Sequence, residues 1–371
     1  MRILHTSDWH LGITLNNMSL LEEQRCFLKK LYELVDTEKI DVIVIAGDVF
    51  DHAVSSADAI ALYNEAMTML CIDQKKRVLI CAGNHDGAAR LSSCNALLER
   101  AGLYVAGSVR DGVKRINTGD VAFHLLPYFS IDEVRYLHPE EEIKSYDGAM
   151  RTVIKGIEPD RERSNVLIAH CFVTGAQPAE SDRSAMVGGA NMVGADAFAG
   201  FDYVALGHLH RAQEIGGNIR YSGSPVKFSF AEADIKKSVT VVDTTGFSRQ
   251  EIVLSMQHDL RVVKGNYSEI LDAAEKDMHR EDYLKIELRD EYAHVEVLNT
   301  LRSYYPRLLS LVGKQLNNVK TSLSMEKAAS LHPEDILTMF CQEYTGEKPN
   351  ATQMGWFRKA LEFEQKGGDA Q

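Results

Sequence analysis

The stretch "YVALGHLHRA", residues 203–212, decides the fold. Its opening is apolar at every position, the pattern of a strand covered on both faces rather than one. It then stops at Gly207-His208-Leu209-His210. Residues two apart in an extended chain lean to the same side, so both imidazoles can enter one crevice. Packed or solvated histidines are one reading and a metal site is the other. The rest of the chain separates them.

Other apolar runs end in the same way. "RILHTS" (2–7) leads into Asp8-Trp9-His10, and "DVIVIAGD" (41–48) into Asp48-Val49-Phe50-Asp51. "RVLICAGN" (77–84) leads into Asn84-His85-Asp86, and "NVLIAHCF" (165–172) carries His170. Helical patterns over about 19–35, 56–70 and 92–100 separate the first runs, with Ser55 or Ser56 available as an N-cap. This alternation predicts an α/β sheet clad by helices, while 108–123 and 214–243 read as antiparallel. Ligands of such sheets gather outside the carboxyl ends of the strands, so the five clusters converge.

The pattern changes after "VTVVDTTGF" (239–247). Residues 260 to about 316 read as strand, helix, strand, helix, strand, a small α+β unit. A polar linker, "KTSLSMEKAAS" (320–330), precedes two helices, Pro333 to Tyr344 and Ala351 to about Gln365, and a tail, 366–371, expected to be disordered. The expected divisions are 1–250, 255–320 and 321–371. Apolar stripes at helical spacing in the tail (Ile336, Phe340, Tyr344; Met354, Phe357, Leu361) suit an external partner better than a two-helix hairpin alone.

At 371 residues, 45% hydrophobic and 25% charged, the composition is that of an ordinary globular protein. No run approaches the roughly 20 apolar residues that span a bilayer. His5, Ser7 and Asp8 break any signal-peptide core, so a cytoplasmic protein without membrane association is expected. Six cysteines without CxxC spacing predict reduced thiols. The net charge of −12 weighs against a broad nucleic-acid surface, although bound cations are outside that count.

Asp8, His10, Asp48, Asn84, His170, His208 and His210 combine carboxylate, imidazole and amide donors. That mixture suits Mn²⁺, Fe²⁺ or Zn²⁺ better than calcium. They are too many for one ion and right for two: Asp8, His10 and His210 on the first, Asn84, His170 and His208 on the second, and Asp48 between. Two ions a few Å apart clamp a phosphate, acidify a water and stabilise attacking and leaving oxygens together. Gly47, Gly83 and Gly207 read as tight turns. His85 can donate to a phosphate or leaving oxygen, and Asp86 can orient that ring or hold the loop. His52, Arg90 and Arg211 flank the motifs as candidate substrate contacts. Ser222 and Ser224 read as turn formers first and as supports of the metal loop second, and Lys227, Lys236, Lys237, Lys264 and Lys285 as a candidate lining for a DNA path.

"DWH", "GDVFD", "GNHD", the lone His170 and "GHLH" resemble, in order, the signature of calcineurin-like metallophosphoesterases. "LHTSDWHLG" (4–12), "AHCFVTG" (169–175) and the stretch 207–239 are similar to the SbcD nuclease chains of bacterial SbcCD complexes, relatives of the double-strand-break-repair nucleases. The resemblance implies a four-layer α/β/β/α sandwich with a small capping domain and a C-terminal helical tail. It implies a two-metal nuclease, usually using manganese with magnesium as an alternative, that trims duplex ends and opens hairpins. It also implies a heterotetramer of two such chains with an SMC-like ABC ATPase, docked through the tail. In departure from relatives, Gly87 stands where Ser is common, and "HAVSS" (52–56) lacks a proline. Two other functions compete: a metallophosphatase or cyclic-nucleotide phosphodiesterase on a small substrate, and a non-catalytic scaffold. The extra unit and tail weigh against the first, and the complete ligand set against the second.

Overall fold

Strands that are apolar at every position need cover on both faces, and the fold supplies it. The computed structural model describes residues 1–179, 182, 191–314, 332–345 and 347–367. The expected linker at 320–330 and residues 368–371 lie outside the described residues.

Two six-stranded sheets lie face to face. The first runs, in spatial order, Ser248–Leu254, Lys237–Asp243, Arg2–Thr6, Val42–Ala46, Arg77–Cys81 and Leu103–Ala106. The second runs Gln213–Ile215, Ile219–Tyr221, Tyr203–Gly207, Ser164–His170, Val121–Leu126 and Lys114–Thr118. The central strands of each sheet pair in parallel; antiparallel strands close both edges of the second sheet and one edge of the first, largely in the two regions where the sequence predicts them, while the other edge, Leu103–Ala106, pairs in parallel.

The period-2 alternation of side chains sorts the core into layers. Ile3, Val44 and Leu79 of the first sheet meet Phe123, Ile168 and Ala205 of the second. Leu4, Ile43 and Ile80 turn outward onto helix α1 (Leu21–Thr37) and helix α2 (Ala57–Met67). Leu167, Val204 and Leu206 turn the other way, onto helices Ile131–Leu137 and Tyr146–Lys155. The result is the expected four-layer sandwich.

Three details depart from the pattern of the sequence. The helix expected over 56–70 ends at Met67 and passes into a π-helical turn, Thr68–Asp73; Ser56 caps its start. The helix expected over 92–100 is broken, because Cys94 takes a left-handed conformation between Ala88–Leu91 and Asn95–Leu98. The two helices over the second sheet are additional to those the apolar periodicity predicts.

After Leu254 the strands Leu260–Gly265, Tyr283–Leu288 and Leu308–Val312 form a parallel sheet, with helices Tyr267–Ala274 and Val295–Tyr304 packed on it through Ile270, Leu284, Ile286 and Leu301. Leu260 and Tyr283 also pack into the main core, so the small unit is rooted in the sandwich. Helices Pro333–Thr345 and Ala351–Gly367 are tied by Arg358 to Glu334 at 2.8 Å. Cys26, Cys71, Cys81, Cys94 and Cys171 are free thiols. Among the described residues no helix is long and apolar enough to cross a membrane.

Candidate metal centre

The carboxyl ends of five central strands, three from the first sheet and two from the second, open at the same end of the sandwich. Parallel pairing continues past the strands: the Asp8 and His10 amides donate to the Gly47 and Asp48 carbonyls at 3.0 Å each. Asp8, His10, Asp48 and His208 adopt positive φ values of 51°, 43°, 50° and 96°. They are four of ten such non-glycine residues among those described. Each costs of order 1–3 kcal/mol and persists only where the surroundings impose it.

Glycine is required by space more than by turning. Gly47 has φ +85°, and a Cβ there would sit 2.2 Å from His170 Nδ1. Gly207 has no left-handed φ, but a Cβ on it would fall 1.9 Å from the Ala46 carbonyl oxygen. The tight-turn reading of Gly207 is therefore corrected: the two sheet ends approach too closely there for a side chain.

The structure brings all seven candidate ligands together in two groups. In one, His10 Nε2 and His210 Nε2 lie 3.3 Å apart, with a carboxylate oxygen of Asp8 beside them. In the other, Asn84 Oδ1 lies 3.0 Å from both His170 Nε2 and His208 Nδ1, which are 3.3 Å from each other. Asp48 Oδ2 stands between the groups, 3.6 Å from His10 Nε2 and 3.3 Å from His170 Nε2. Donors bound about 2.1 Å from one ion at right angles lie about 3 Å apart, so both groups have the spacing of a coordination shell.

The protons tell the same story. His170 Nδ1 donates to the Ala46 carbonyl at 2.9 Å, so the neutral ring turns the lone pair of Nε2 toward Asn84 Oδ1 and Asp48. Acceptor atoms thus converge on one point, which either a proton on Nε2 or a cation satisfies. Burial pulls the His170 pKa down, but the Asp48 carboxylate overrides it and raises it to about 9. Burial opposes the charge on Asp48, yet His170, His10 and His85 hold its pKa well below the carboxylate range. His208 is pushed down to about 3 by burial and by neighbouring His170. The residues fit divalent cations.

His85 sits half-buried at the mouth, its ring edge-on to His10 with centroids 4.8 Å apart. Its amide donates to Asp48 Oδ1 and its Nδ1 to the Asp51 carbonyl, at 2.9 and 2.8 Å. Asp86 does not orient that ring. Its carboxylate accepts the backbone N–H groups of Val49, Phe50 and Gly83 at 3.2, 2.9 and 2.9 Å, pinning the second motif to the third. Burial and the charge of Asp48 raise its pKa to about 6. Of the two roles open to Asp86, the contacts match holding the loop.

His52 is exposed and turns Nδ1 to the Asp51 carbonyl at 2.6 Å, while Arg90 reaches the Ala53 carbonyl at 2.7 Å. Both lie on the rim formed by the second and third motif loops. Arg211 is exposed just past His210.

A supporting layer lies behind the ligands, of which the sequence pattern offers Ser222 and Ser224 alone. Ser7 Oγ donates to Asp8 Oδ2 at 2.5 Å and pairs with Ser222 Oγ at 2.8 Å. Asp182 Oδ1 and Glu232 Oε1 lie 3.2 and 3.3 Å from His210 Nδ1, orienting Nε2 inward. Lys237 Nζ meets Glu232 Oε2 at 2.7 Å, Ser224 Oγ at 2.7 Å and the His210 carbonyl at 2.9 Å. Ser222 and Ser224 therefore support the metal loop, beyond forming a turn. Lys227 and Lys237 are buried and cannot line a DNA path.

Comparison with known proteins adds relatives. Residues 1–212 match the calcineurin-like phosphoesterase family, and 256–345 match a domain described as the type 5 capsule protein repressor C-terminal domain. The chain is 32% identical to the SbcD chain of nuclease SbcCD from Staphylococcus saprophyticus, over 97% of this chain and 98% of that one. It is 31% identical to the SbcD chain of nuclease SbcCD from Staphylococcus epidermidis, over 84% and 85%. A solved dimetal phosphatase from Danio rerio covers 69% of this chain and 99% of its own, at 9% identity and a TM-score of 0.40.

Proposed function

We propose, for a chain that belongs to the calcineurin-like phosphoesterases and within them to the SbcD nuclease family, that it hydrolyses DNA phosphodiesters at a two-ion site. It is a metal-dependent nuclease subunit. One observation carries the reading: two groups of donor atoms, each at coordination-shell spacing, share Asp48. Asp8, His10, His210 and Asp48 would hold one ion, and Asn84, His170, His208 and Asp48 the other, with manganese as the working metal. Two such ions neutralise the phosphate and lower the pKa of the attacking water.

The chain's own groups do the rest. His85, fixed at Nδ1 by the Asp51 carbonyl, can aim Nε2 at the departing oxygen; when doubly protonated it supplies the proton that oxygen needs. Asp86 keeps the second and third motif loops in register around Asp48. Strained backbone at Asp8, His10, Asp48 and His208 presets the donors, so little reorganisation is left for catalysis.

The unit at 255–320 is read as a DNA cap over the site, consistent with its anchoring on the sandwich. The helical tail is read as the dock for an SMC-like ATPase, a role supported by exposed Met339, Phe340 and Trp356. The homodimer of the proposed heterotetramer would close over α2, where Val54, Ile60 and Ile72 are exposed beside an apolar cleft of about 900 Å³. The test is manganese-dependent cleavage of linear duplex and hairpin DNA with the ATPase partner and ATP, using His85→Gln as control. The reading fails if duplex stays intact while a small phosphodiester is hydrolysed.

A further inference from the structure

Two consecutive residues of α1, both buried, reach in opposite directions. Glu23 is 1% exposed and its carboxylate accepts the Gln257 amide at 2.8 Å, the His258 amide at 3.2 Å and the His258 Nδ1–H at 2.8 Å. Those are residues of the connector between the sandwich and the three-stranded unit. Gln24 is equally buried, and its amide donates to the Trp9 and His10 carbonyls at 2.9 and 2.7 Å. Its Oε1 accepts the Gly12 amide at 3.0 Å. One turn of helix thus grips the connector with one side chain and the loop carrying His10 with the next.

A second tether runs from the same connector. Lys227 Nζ binds Asp259 Oδ1 at 2.8 Å and the Ala233 carbonyl at 2.5 Å, next to Glu232, which holds His210. Both tethers therefore end on the Asp8–His10–His210 group. The hydrogen-bond and ion-pair partners of the other group are Ala46, Asp8, Asp48 and one another.

We propose that α1 acts as a coupling bar, with Glu23 and Gln24 as positioning residues that set the three-stranded unit and the His10 half-site together. The proposal rests on the two-ion reading above. A duplex that displaces the unit loads the connector, and through Glu23 and Gln24 that load reaches the His10 half-site directly and the other only through Asp8 and Asp48. A rigid helix carries such a displacement because Glu23 and Gln24 share one turn and each is satisfied by backbone groups on its own side. Neither touches a candidate ligand side chain, so the effect on metal binding is indirect.

The test is hydrogen exchange and Mn²⁺ titration on the full chain, comparing wild type with Glu23→Ala and with Lys30→Ala. Lys30 also holds the connector, at Ser255, but two turns further along α1 and without a link to the site. The expected result for Glu23→Ala is about tenfold faster exchange at 256–259 and also at 9–13, with one of two Mn²⁺ equivalents weakened about tenfold. Glu23→Gln, which retains one acceptor, should recover part of both. Lys30→Ala should loosen the connector alone. The coupling is overturned if Glu23→Ala frees 256–259 while 9–13 and both Mn²⁺ affinities keep wild-type values. Should Glu23→Ala fail to fold, His258→Ala, which removes only the ring bond, is read by the same criteria. If wild type binds no pair of Mn²⁺ ions, the two-ion reading falls, and the exchange linkage between the two segments still decides the coupling.

Discussion

Glu232→Gln is the substitution whose consequences the site defines most sharply. Glu232 is fully buried, and burial opposes its charge, yet Lys237 and His210 hold its pKa well below the carboxylate range. Breaking a buried ion pair by neutralising one partner costs about 3–5 kcal/mol, because the other charge stays behind. Here the stranded charge is Lys237, 3% exposed, which keeps the Ser224 hydroxyl and the His210 carbonyl. The retained bonds put the loss at about 3 kcal/mol. Removing a carboxylate behind a ligating histidine lowers metal affinity about 10–100-fold. Asp182 still faces His210 Nδ1, so about tenfold is expected. Denaturant unfolding measures the first quantity and Mn²⁺ titration calorimetry the second. The double variant Glu232→Gln/Lys237→Met separates them: it should regain most of the stability and none of the affinity. Wild-type Mn²⁺ affinity in a folded Glu232→Gln protein would refute the reasoning.

Other perturbations test other links. His85→Gln should leave both ions bound and lower duplex cleavage about 10²–10⁴-fold; loss of metal along with activity would mean that His85 is a ligand. Gly207→Ala should abolish the native sheet-to-sheet approach, since its Cβ meets rigid Ala46 backbone at 1.9 Å; a soluble variant with a wild-type melting curve would contradict this. His5 is buried between the sheets, bonded to the Tyr203 hydroxyl and the Leu206 carbonyl; burial and Arg220 lower its pKa to about 3. The unfolded chain takes up that proton below about pH 6.5, so the His5 contribution is complete above 6.5 and fades as pH falls toward 3. From 6.5 to about 3 the change is worth about 5 kcal/mol, and His5→Gln should flatten the acid limb of a stability–pH curve by that order. Parallel acid limbs would refute it.

The ligand groups are legible in the sequence because each ends a run of apolar residues, and a run that must be buried on both faces points its polar end at a shared edge. The sandwich follows from the same runs. Beyond Ser222 and Ser224 the supporting layer is not legible, because its logic is long-range: Ser7 meets Ser222 across 215 residues, and Glu232 reads locally as a surface acid in "FAEAD". Lys237 looks like a surface lysine for the same reason; only the fold supplies its carboxylate. Other features do carry a local signal that apolar periodicity overlooks. Ser130 and Glu133 form a capping box that announces the helix Ile131–Leu137. The break at Cys94 has no local sequence signal, since nothing in "LSSCNALL" requires a left-handed residue.

Two ions are expected to flank Asp48, each held by its own set of donors. A crystal grown with Mn²⁺ and measured at the manganese absorption edge tests this directly. The expected result is two anomalous peaks about 3.5–4 Å apart, one against Asp8, His10 and His210 and the other against Asn84, His170 and His208, with Asp48 reaching both. A single peak, or two peaks of which neither contacts Asp48, would contradict it.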